Sequence, residues 1–334
     1  MYLISLLTKM MHFLPGEFSH HLALKGLKFL YFIGFLNLYA HKKDLNTECK
    51  NRDITNLNGK LGIAAGLDKN GDYIDCLAAL GVDFIEVGTI TPRPQKGNPR
   101  PRIFRNLNER SLVNRLGFNN KGVDHLVKKL RSKKTQIIIG TSIGKNFDTP
   151  NENALEDYLH CIEKVYEYSD YIAINISSPN TKELRELSRG KNFNSFLKAI
   201  KKIQNKLSSN SKYVPIFIKI SPDELSKDLA IICSSILDSK LDGIICSNTT
   251  VDHDHKNGPG GLSGAPLKNK ATECLVAVRS LVGNQLPIIA SGGVMSAQDY
   301  QEKLDAGANL VQIYTGFIYE GPQLIKDILN LRQV

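Results

Sequence analysis

Beyond residue 60 the chain alternates between two hydrophobic rhythms. Short apolar, β-rich runs occupy 61–65, 84–90, 137–143, 171–177, 215–221, 243–248, 287–293 and 310–315. Between them apolar residues fall at helical spacing, as in Ala154, Leu155, Tyr158, Leu159, Ile162, Val165 and Tyr166, or Phe196, Leu197, Ile200, Ile203 and Leu207. Continuous apolar strands separated by amphipathic helices predict a parallel sheet covered on both faces. Eight repeats of that unit predict an α/β fold, a (β/α)8 TIM barrel, with its functional groups at the carboxyl ends of the strands. The segment 91–119 is too long for a simple βα loop. It carries Arg102, Ile103, Phe104 and Arg105, then Ser111, Leu112 and Val113, which predicts a small hairpin over the barrel mouth.

The first forty residues follow another pattern. Leu3, Leu6, Leu7, Met10, Met11 and Leu14 precede a break at Pro15 and Gly16, and Leu22, Leu24, Leu27, Leu30 and Ile33 follow it. Spacing near 3.6 predicts a short α-helical hairpin over 1–40, with Lys9, Lys25 and Lys28 available for its polar side. The uncharged run 29–40 would reach only about 18 Å as one helix, against a bilayer core of about 30 Å, so it is not a transmembrane span. Residues 1–14 have neither the basic start and small-residue cleavage site of a signal peptide nor the arginine richness of a transit peptide. The hairpin either lies in a membrane interface or packs on the body as an ordinary α-hairpin. Residues 41–58 are polar and charged, and read as a linker into a domain spanning 59–334.

Composition narrows the chemistry. The 334 residues are 42% hydrophobic and 23% charged, which is ordinary for a globular protein and long enough for two average domains or one barrel. Lys and Arg outnumber Asp and Glu by 43 to 33. That balance suits phosphates, small acids or anionic lipid, and equally a lysine-rich solvated surface. Trp is absent and no basic run is interleaved with aromatics, so nucleic acid is not an expected partner. The six cysteines form no CxxC pair and the eight histidines no HExxH, so no metal is expected, and scattered cysteines fit a reducing compartment. Gly140, Gly144 and Lys145 miss the spacing of a nucleoside-triphosphate loop.

The strand ends carry the candidate groups. Ser291, Gly292 and Gly293 end the seventh run and Tyr314, Thr315 and Gly316 the eighth, where barrels form phosphate sites from backbone N–H groups. Gly260, Gly261 and Gly264 form a third candidate loop. The fourth run ends in Asn175, Ile176, Ser177, Ser178, Pro179, Asn180 and Thr181. Two carboxamides bracketing two hydroxyls suit a small planar polar molecule while one hydroxyl handles a proton, although the same string suits an Asn-capped turn. Lys69, Asn114, Lys219, Asn248 and Thr249 fall at or just beyond other strand ends or the hairpin.

From about Glu17 to Lys326 the chain closely resembles dihydroorotate dehydrogenases of the quinone-dependent class 2. The resemblance rests on 65–71 (AGLDKNG), 86–94 (EVGTITPRP), 98–105 (NPRPRIFR), 114–119 (NRLGFN), 175–181 (NISSPNT), 247–250 (SNTT), 260–267 (GGLSGAPL) and 310–316 (LVQIYTG). It implies FMN as cofactor and oxidation of dihydroorotate to orotate, with a proton leaving C5 and a hydride leaving C6, in pyrimidine biosynthesis. It makes Ser178 the catalytic base, where class 1 relatives have Cys. A serine hydroxyl is a weak base in water and needs a closed site, for which 181–192 is the expected closing loop. Orotate falls to Lys69, Asn114, Arg115, Leu116, Gly117, Phe118, Asn175, Asn180, Asn248 and Thr249, one cation for the carboxylate and amides for the ring edges. FMN falls to Ala65, Gly66, Leu67, Asp68, Lys69, Thr89, Ser142, Asn175, Lys219 and Ser247, with Gly264, Gly293, Tyr314 and Thr315 at its phosphate. Lys219 resembles the lysine beside the flavin pyrimidine end. Ser142 and Ser247 depart from the Asn and Thr common in relatives, and Ser142 lacks the reach of an amide.

The resemblance also makes the hairpin a tunnel for ubiquinone or a similar quinone, with His20 on its wall and Arg105 at its inner end. It implies a monomeric, peripheral enzyme on the cytoplasmic side of a bacterial inner membrane. A class 1-like enzyme using fumarate or NAD is the alternative, and Ser178 and the hairpin argue against it.

Overall fold

A computed structural model describes residues 8, 10–38, 53–181, 184–188, 192–254, 256 and 258–332. In chain order its strands are β1 (Lys60–Ile63), β2 (Phe84–Ile90), β3 (Ile103–Asn106), β4 (Ser111–Asn114), β5 (Ile138–Ile143), β6 (Tyr171–Asn175), β7 (Ile216–Lys219), β8 (Gly243–Cys246), β9 (Gly261–Gly264), β10 (Ile288–Ser291) and β11 (Leu310–Ile313). All but β3, β4 and β9 form a closed parallel barrel, with β11 returning to pair with β1. These eight are the eight runs expected from the sequence. Most stop one to three residues short of the run, where the chain leaves the ladder for the mouth.

The helices are α1 (Gly16–Phe32), α2 (Ile74–Ala78), α3 (Val123–Ser132), α4 (Ala154–Val165), α5 (Phe193–Ser208), α6 (Ser226–Asp238), α7 (Lys268–Val282), α8 (Ala297–Asp305), α9 (Thr315–Glu320) and α10 (Pro322–Leu331). The stripes seen in the sequence are the buried faces. Ala154, Tyr158, Ile162 and Val165 of α4 and Phe196, Leu197, Ile200 and Ile203 of α5 all join the core.

Inside the barrel a layer of rings is fitted to glycines on adjacent strands. Gly62 is paired with Phe84, Gly140 with Tyr171 and Gly243 with Phe217. A Cβ at any of the three glycines would lie 2.0–2.3 Å from the facing ring. Tyr171 meets Phe84 and Phe217 edge-on, with ring centroids 6.3 and 5.5 Å apart, an arrangement that aromatic quadrupoles favour. Ile54, wholly buried, closes this layer from below. Thus residues 53–58, at the end of the expected linker, already cover the barrel floor, while 41–52 lie outside the described residues.

Over the mouth, β3 and β4 make the expected hairpin, and β9 adds to β4 as a third antiparallel strand. The glycine-rich segment 260–264 is therefore chiefly a strand and not a loop. In the N-terminal segment α1 starts directly after Pro15 as expected, while Leu3, Leu6, Leu7 and Lys9 lie outside the described residues. The uncharged run 29–40 is not one helix, because α1 stops at Phe32 and a 3₁₀ turn follows at Phe35–Leu38. No helix among the described residues is long and apolar enough to cross a membrane.

Glycine substitution separates packing from propensity. Gly243→Ala drives a methyl into Phe217 and is expected to cost about 1–3 kcal/mol by overpacking. Gly26→Ala, in α1 with nothing within 4 Å of its Cβ, is expected to gain up to about 1 kcal/mol from helix propensity. Urea unfolding of both variants beside the parent chain checks the opposite signs.

Candidate active site

The carboxyl ends of the barrel strands surround a cavity of about 970 Å³. On its first side, Asp68 shapes the loop after β1. Its buried carboxylate accepts from the backbone N–H groups of Asn70, Asp72 and Tyr73 at 3.3, 3.0 and 2.7 Å. Burial pushes its pKa up to about 6 even so. The loop so formed projects Lys69 into the cavity, where Nζ donates to Gly66 O at 2.7 Å. Burial, with Arg102 nearby, brings Lys69 down to about 8.

Opposite stands the end of β6. Asn175 uses its whole amide: Nδ2 donates to Thr89 Oγ1 at 2.9 Å, and Oδ1 accepts from Ser177 N and Asn248 Nδ2, each at 3.3 Å. Its carbonyl accepts from the buried Tyr158 hydroxyl at 2.9 Å. The turn that follows presents Ser178, 6% exposed, whose Oγ accepts from Asn180 N at 3.3 Å. The Asn-capped turn thus forms part of the cavity wall. Asn180 Nδ2 donates to Asn114 Oδ1 at 3.1 Å, joining this turn to the lid strand β4.

Within the expected closing segment 181–192, a 3₁₀ turn spans Leu184–Ser188, and 182–183 and 189–191 lie outside the described residues. Arg185 fastens it down. Its guanidinium donates to Ser177 O at 3.0 Å, Thr249 O at 3.2 Å and the Asp223 carboxylate at 2.9 Å. The same side chain therefore ties the loop to both segments that carry the cavity amides. Nothing in its neighbours in sequence marks Arg185 out.

The floor and the far end complete the cavity. Lys219 and Gln312 rise from β7 and β11, and Gln312 Oε1 is buried without a hydrogen-bond partner. At the far end a Cβ at Gly293 would lie 2.6 Å from Lys268 N, so glycine there lets two backbone segments meet. Gly264, Tyr314 and Thr315 line the same end.

A second, apolar cavity of about 1260 Å³ lies between α1, the lid and α9. It meets the first at Asn114, Ser263 and Tyr314, which line both. Leu24, Leu27, Leu30, Ile103 and Phe317 supply most of its character, with His20 and Arg105 as polar groups. Burial, with the charge of Lys69 behind it, pushes His20 down to about 3. Arg105 donates to the carbonyls of Met11, His12 and Leu14 and to Ser19 Oγ, while its buried Nε–H has no partner. Two glutamate contacts anchor α1 beside it: Glu17 meets Arg100 at 3.0 Å and Arg102 at 2.7 Å.

The cavity thus gathers Ala65, Gly66, Lys69, Thr89, Asn114, Leu116, Gly117, Phe118, Asn175, Ser178, Asn180, Lys219, Ser247, Asn248, Thr249, Gly264, Gly293, Tyr314 and Thr315. Four expected residues stand off it. Asp68 is turned into its own loop, and Leu67 lines the apolar cavity instead. Ser142 lies behind Thr89, its Oγ 2.9 Å from Thr89 Oγ1. Arg115 stacks on Phe104 at 4.5 Å. Gln312, Ser263, Leu267 and Met295 line the cavity unannounced. Only the inward phase of Gln312 on an otherwise apolar strand could have signalled one of them. Among the described residues no cluster of His, Cys, Asp and Glu could hold a metal ion. Cys76, Cys161, Cys233, Cys246 and Cys274 are buried thiols, and Cys49 lies outside the described residues.

Known proteins share this architecture. The family profile described as dihydroorotate dehydrogenase matches residues 44–332. A protein of Methylobacillus flagellatus named dihydroorotate dehydrogenase (quinone) is 46% identical over 94% of this chain and 95% of its own length. A protein of the same name from Acinetobacter baylyi is 46% identical over 98% and 99%. The crystal structure of DHODH from Eimeria tenella in complex with ferulenol superposes with a TM-score of 0.81 at 32% identity, covering 94% of this chain and 89% of that one.

The lowered Lys69 gives a pH test. A carboxylate at the mouth needs the protonated amine, which is abundant below about 8 and lost above it. Orotate affinity is therefore expected to fall on the order of tenfold between pH 7 and pH 9. Lys69→Met should bind weakly with no such slope, as calorimetric titration at several pH values checks.

Proposed function

The chain belongs to the dihydroorotate dehydrogenase family, and we propose that its polar cavity holds FMN and orotate while its apolar cavity admits the quinone. The enzyme oxidises dihydroorotate to orotate in pyrimidine biosynthesis and passes the electrons to a quinone, as the names of its relatives favour over fumarate or NAD. The family is flavin-dependent. What carries the assignment of two ligands is the meeting of a polar and an apolar cavity at Tyr314, Asn114 and Ser263.

The residues fit FMN. The unpartnered Gln312 Oε1 and the Lys219 ammonium offer an acceptor and a donor at the floor. The backbone around Gly264, Gly293 and Thr315 is open to a phosphate at the far end. Bound there, FMN would supply the hydride acceptor for C6 of the substrate and the electron donor for the quinone. Lys69 faces the substrate carboxylate, and Asn114, Asn175, Asn180 and Asn248 address its amide edges. Ser178 Oγ accepts the proton from C5 and gives up its own hydroxyl proton toward solvent. The N–H of Asn180 donates to that oxygen, which favours the form that takes a proton. Arg185 and the loop it fastens keep water from the reacting atoms.

In the apolar cavity a neutral His20 and the buried Nε–H of Arg105 are the groups available to quinone carbonyl oxygens. Phe13 and Phe32, 84% and 85% exposed on the same segment, support placement of the hairpin in a membrane interface. We take the enzyme as peripheral, on the cytoplasmic side of the inner membrane, and as the monomer implied by the resemblance. Residues 1–40 then form the membrane and quinone element, 41–58 the connection and 59–334 the catalytic barrel.

Ser178→Ala is expected to slow anaerobic flavin reduction by dihydroorotate about 10²–10⁴-fold, with FMN content unchanged. Stopped-flow absorbance checks it, and an undiminished rate would remove Ser178 from the chemistry. His20→Ala is expected to raise the KM for a short-chain quinone about tenfold, the worth of one hydrogen bond. The anaerobic step should be untouched. A slowed anaerobic step with an unchanged quinone KM would place His20 on the other cavity.

A further inference from the structure

Beneath the polar cavity lies a charged group that the assignments above leave idle. Glu86, on β2, is wholly buried and does not line the cavity itself. Three donors converge on its carboxylate: Tyr171 Oη at 3.0 Å, Gln312 Nε2 at 2.8 Å and Lys219 Nζ at 3.4 Å. Tyr171 keeps its proton to donate, because burial and then the charge of Glu86 push its pKa well above the ordinary value.

The effect on Gln312 is directional. A carboxylate only accepts, so the amide nitrogen must face it and the amide oxygen must face away. That oxygen, Oε1, is buried without a partner on a side chain that lines the cavity. Lys219, held by the other carboxylate oxygen, lines the same floor. One buried carboxylate therefore fixes an acceptor and a cationic donor together at the cavity floor. A ring edge with an N–H next to a C=O is the complement of that pair, and the pyrimidine end of an isoalloxazine has one.

We propose that Glu86 is a positioning residue for the cofactor: it turns Gln312 so that Oε1 accepts from the flavin N3–H, holds Lys219 at the neighbouring carbonyl, and offsets the lysine charge beneath the ring. This deepens the FMN assignment and rests on it. Removing the carboxylate frees Gln312 to turn over and leaves Lys219 uncompensated, which favours the reduced and more negative cofactor.

The test is reconstitution of the apoprotein with FMN and with 3-methyl-FMN, which has no N3–H, followed by fluorescence quenching. The parent chain is expected to bind the methyl analogue at least about a hundredfold more weakly, as a site built for an N–H does. In Gln312→Met that discrimination should collapse to within about fivefold, while orotate affinity stays as it was. In Glu86→Gln it should also shrink, and the midpoint potential of bound FMN should rise by about 30 mV, tenfold in a two-electron equilibrium. If Glu86→Gln does not fold, the analogue comparison in the parent chain and in Gln312→Met still decides. Equal binding of both flavins by the parent chain overturns the inference and leaves the cofactor assignment standing. So does a Glu86→Gln protein with unchanged discrimination and potential. Loss of orotate affinity in Gln312→Met with flavin discrimination intact would move Oε1 to the substrate and likewise overturn it. Failure of the parent chain to take up any flavin removes the cofactor assignment, and this inference falls with it.

Discussion

The carboxamide of Asn175 is the joint on which the mouth of this barrel depends. It reaches β2 through Thr89, the loop after β8 through Asn248 and its own following turn through Ser177, while the backbone carbonyl of the same residue holds α4 through Tyr158. Each partner is buried or half-buried, so each bond forms in a medium where an unmade one would cost about 1–3 kcal/mol. An aspartate there could not donate to Thr89, and a leucine could do neither task. With both ends of the amide committed, the turn carrying Ser178 is tied at its root, and the hydroxyl lines the cavity with Asn180 N donating to it.

Much of this was legible in the sequence because the barrel repeats one unit. Every strand of a closed parallel barrel is covered on both sides, so each stands out as an apolar run, and all eight were visible. The helical spacing of the N-terminal segment ran to Ile33, and α1 stops at Phe32. The lid strand β9 escaped because its residues, Gly261, Leu262, Ser263 and Gly264, look like a loop, and only pairing with β4 makes them a strand. The resemblance supplied a residue set that the cavity largely gathers. Asp68, Ser142 and Arg115, which the resemblance also named, stand off the cavity, and each side chain has work in the supporting structure. Glu86 was invisible for a deeper reason: a carboxylate within a strand reads as a solvent-facing residue until closure sets Lys219 against it, 133 positions away.

The two cavities differ in kind and still influence each other. Lys69 stands in the polar one and His20 in the apolar one, yet the lysine charge helps to hold the imidazole neutral. Conversely, burial takes Lys69 down to about 8, so its charge is most secure when an anion is beside it. A carboxylate bound at the mouth strengthens the lysine charge but offsets its field with its own, and burial, the larger cause, is what holds His20 neutral. A neutral imidazole can accept or donate, whereas an imidazolium only donates, so burial preserves the hydrogen-bonding choice of His20.

Helix α1 is joined both to the lid and to the barrel wall, where Leu24 and Leu27 pack on the core and Lys28 donates to Asp72 O at 2.9 Å. Glu17 is bound by Arg100 and Arg102 at the root of β3, and Arg105 on β3 gathers the carbonyls that precede α1. β3 pairs with β4, and β4 pairs with β9, whose Gly264 and Ser263 face the polar cavity. Hydrogen-bonded strands thus run without a break from the residues that anchor α1 to the far end of the polar cavity. Antiparallel ladders are stiff along their hydrogen bonds, while Glu17 and its two arginines are held by charge-assisted bonds to a side chain already half-buried. No side chain caps the start of α1, but Ser19 N donates to Pro15 O at 2.9 Å and Arg105 on β3 holds Leu14 O, so the entry to α1 is pinned to the lid whose next strand meets the turn of Ser178 through Asn114 and Asn180.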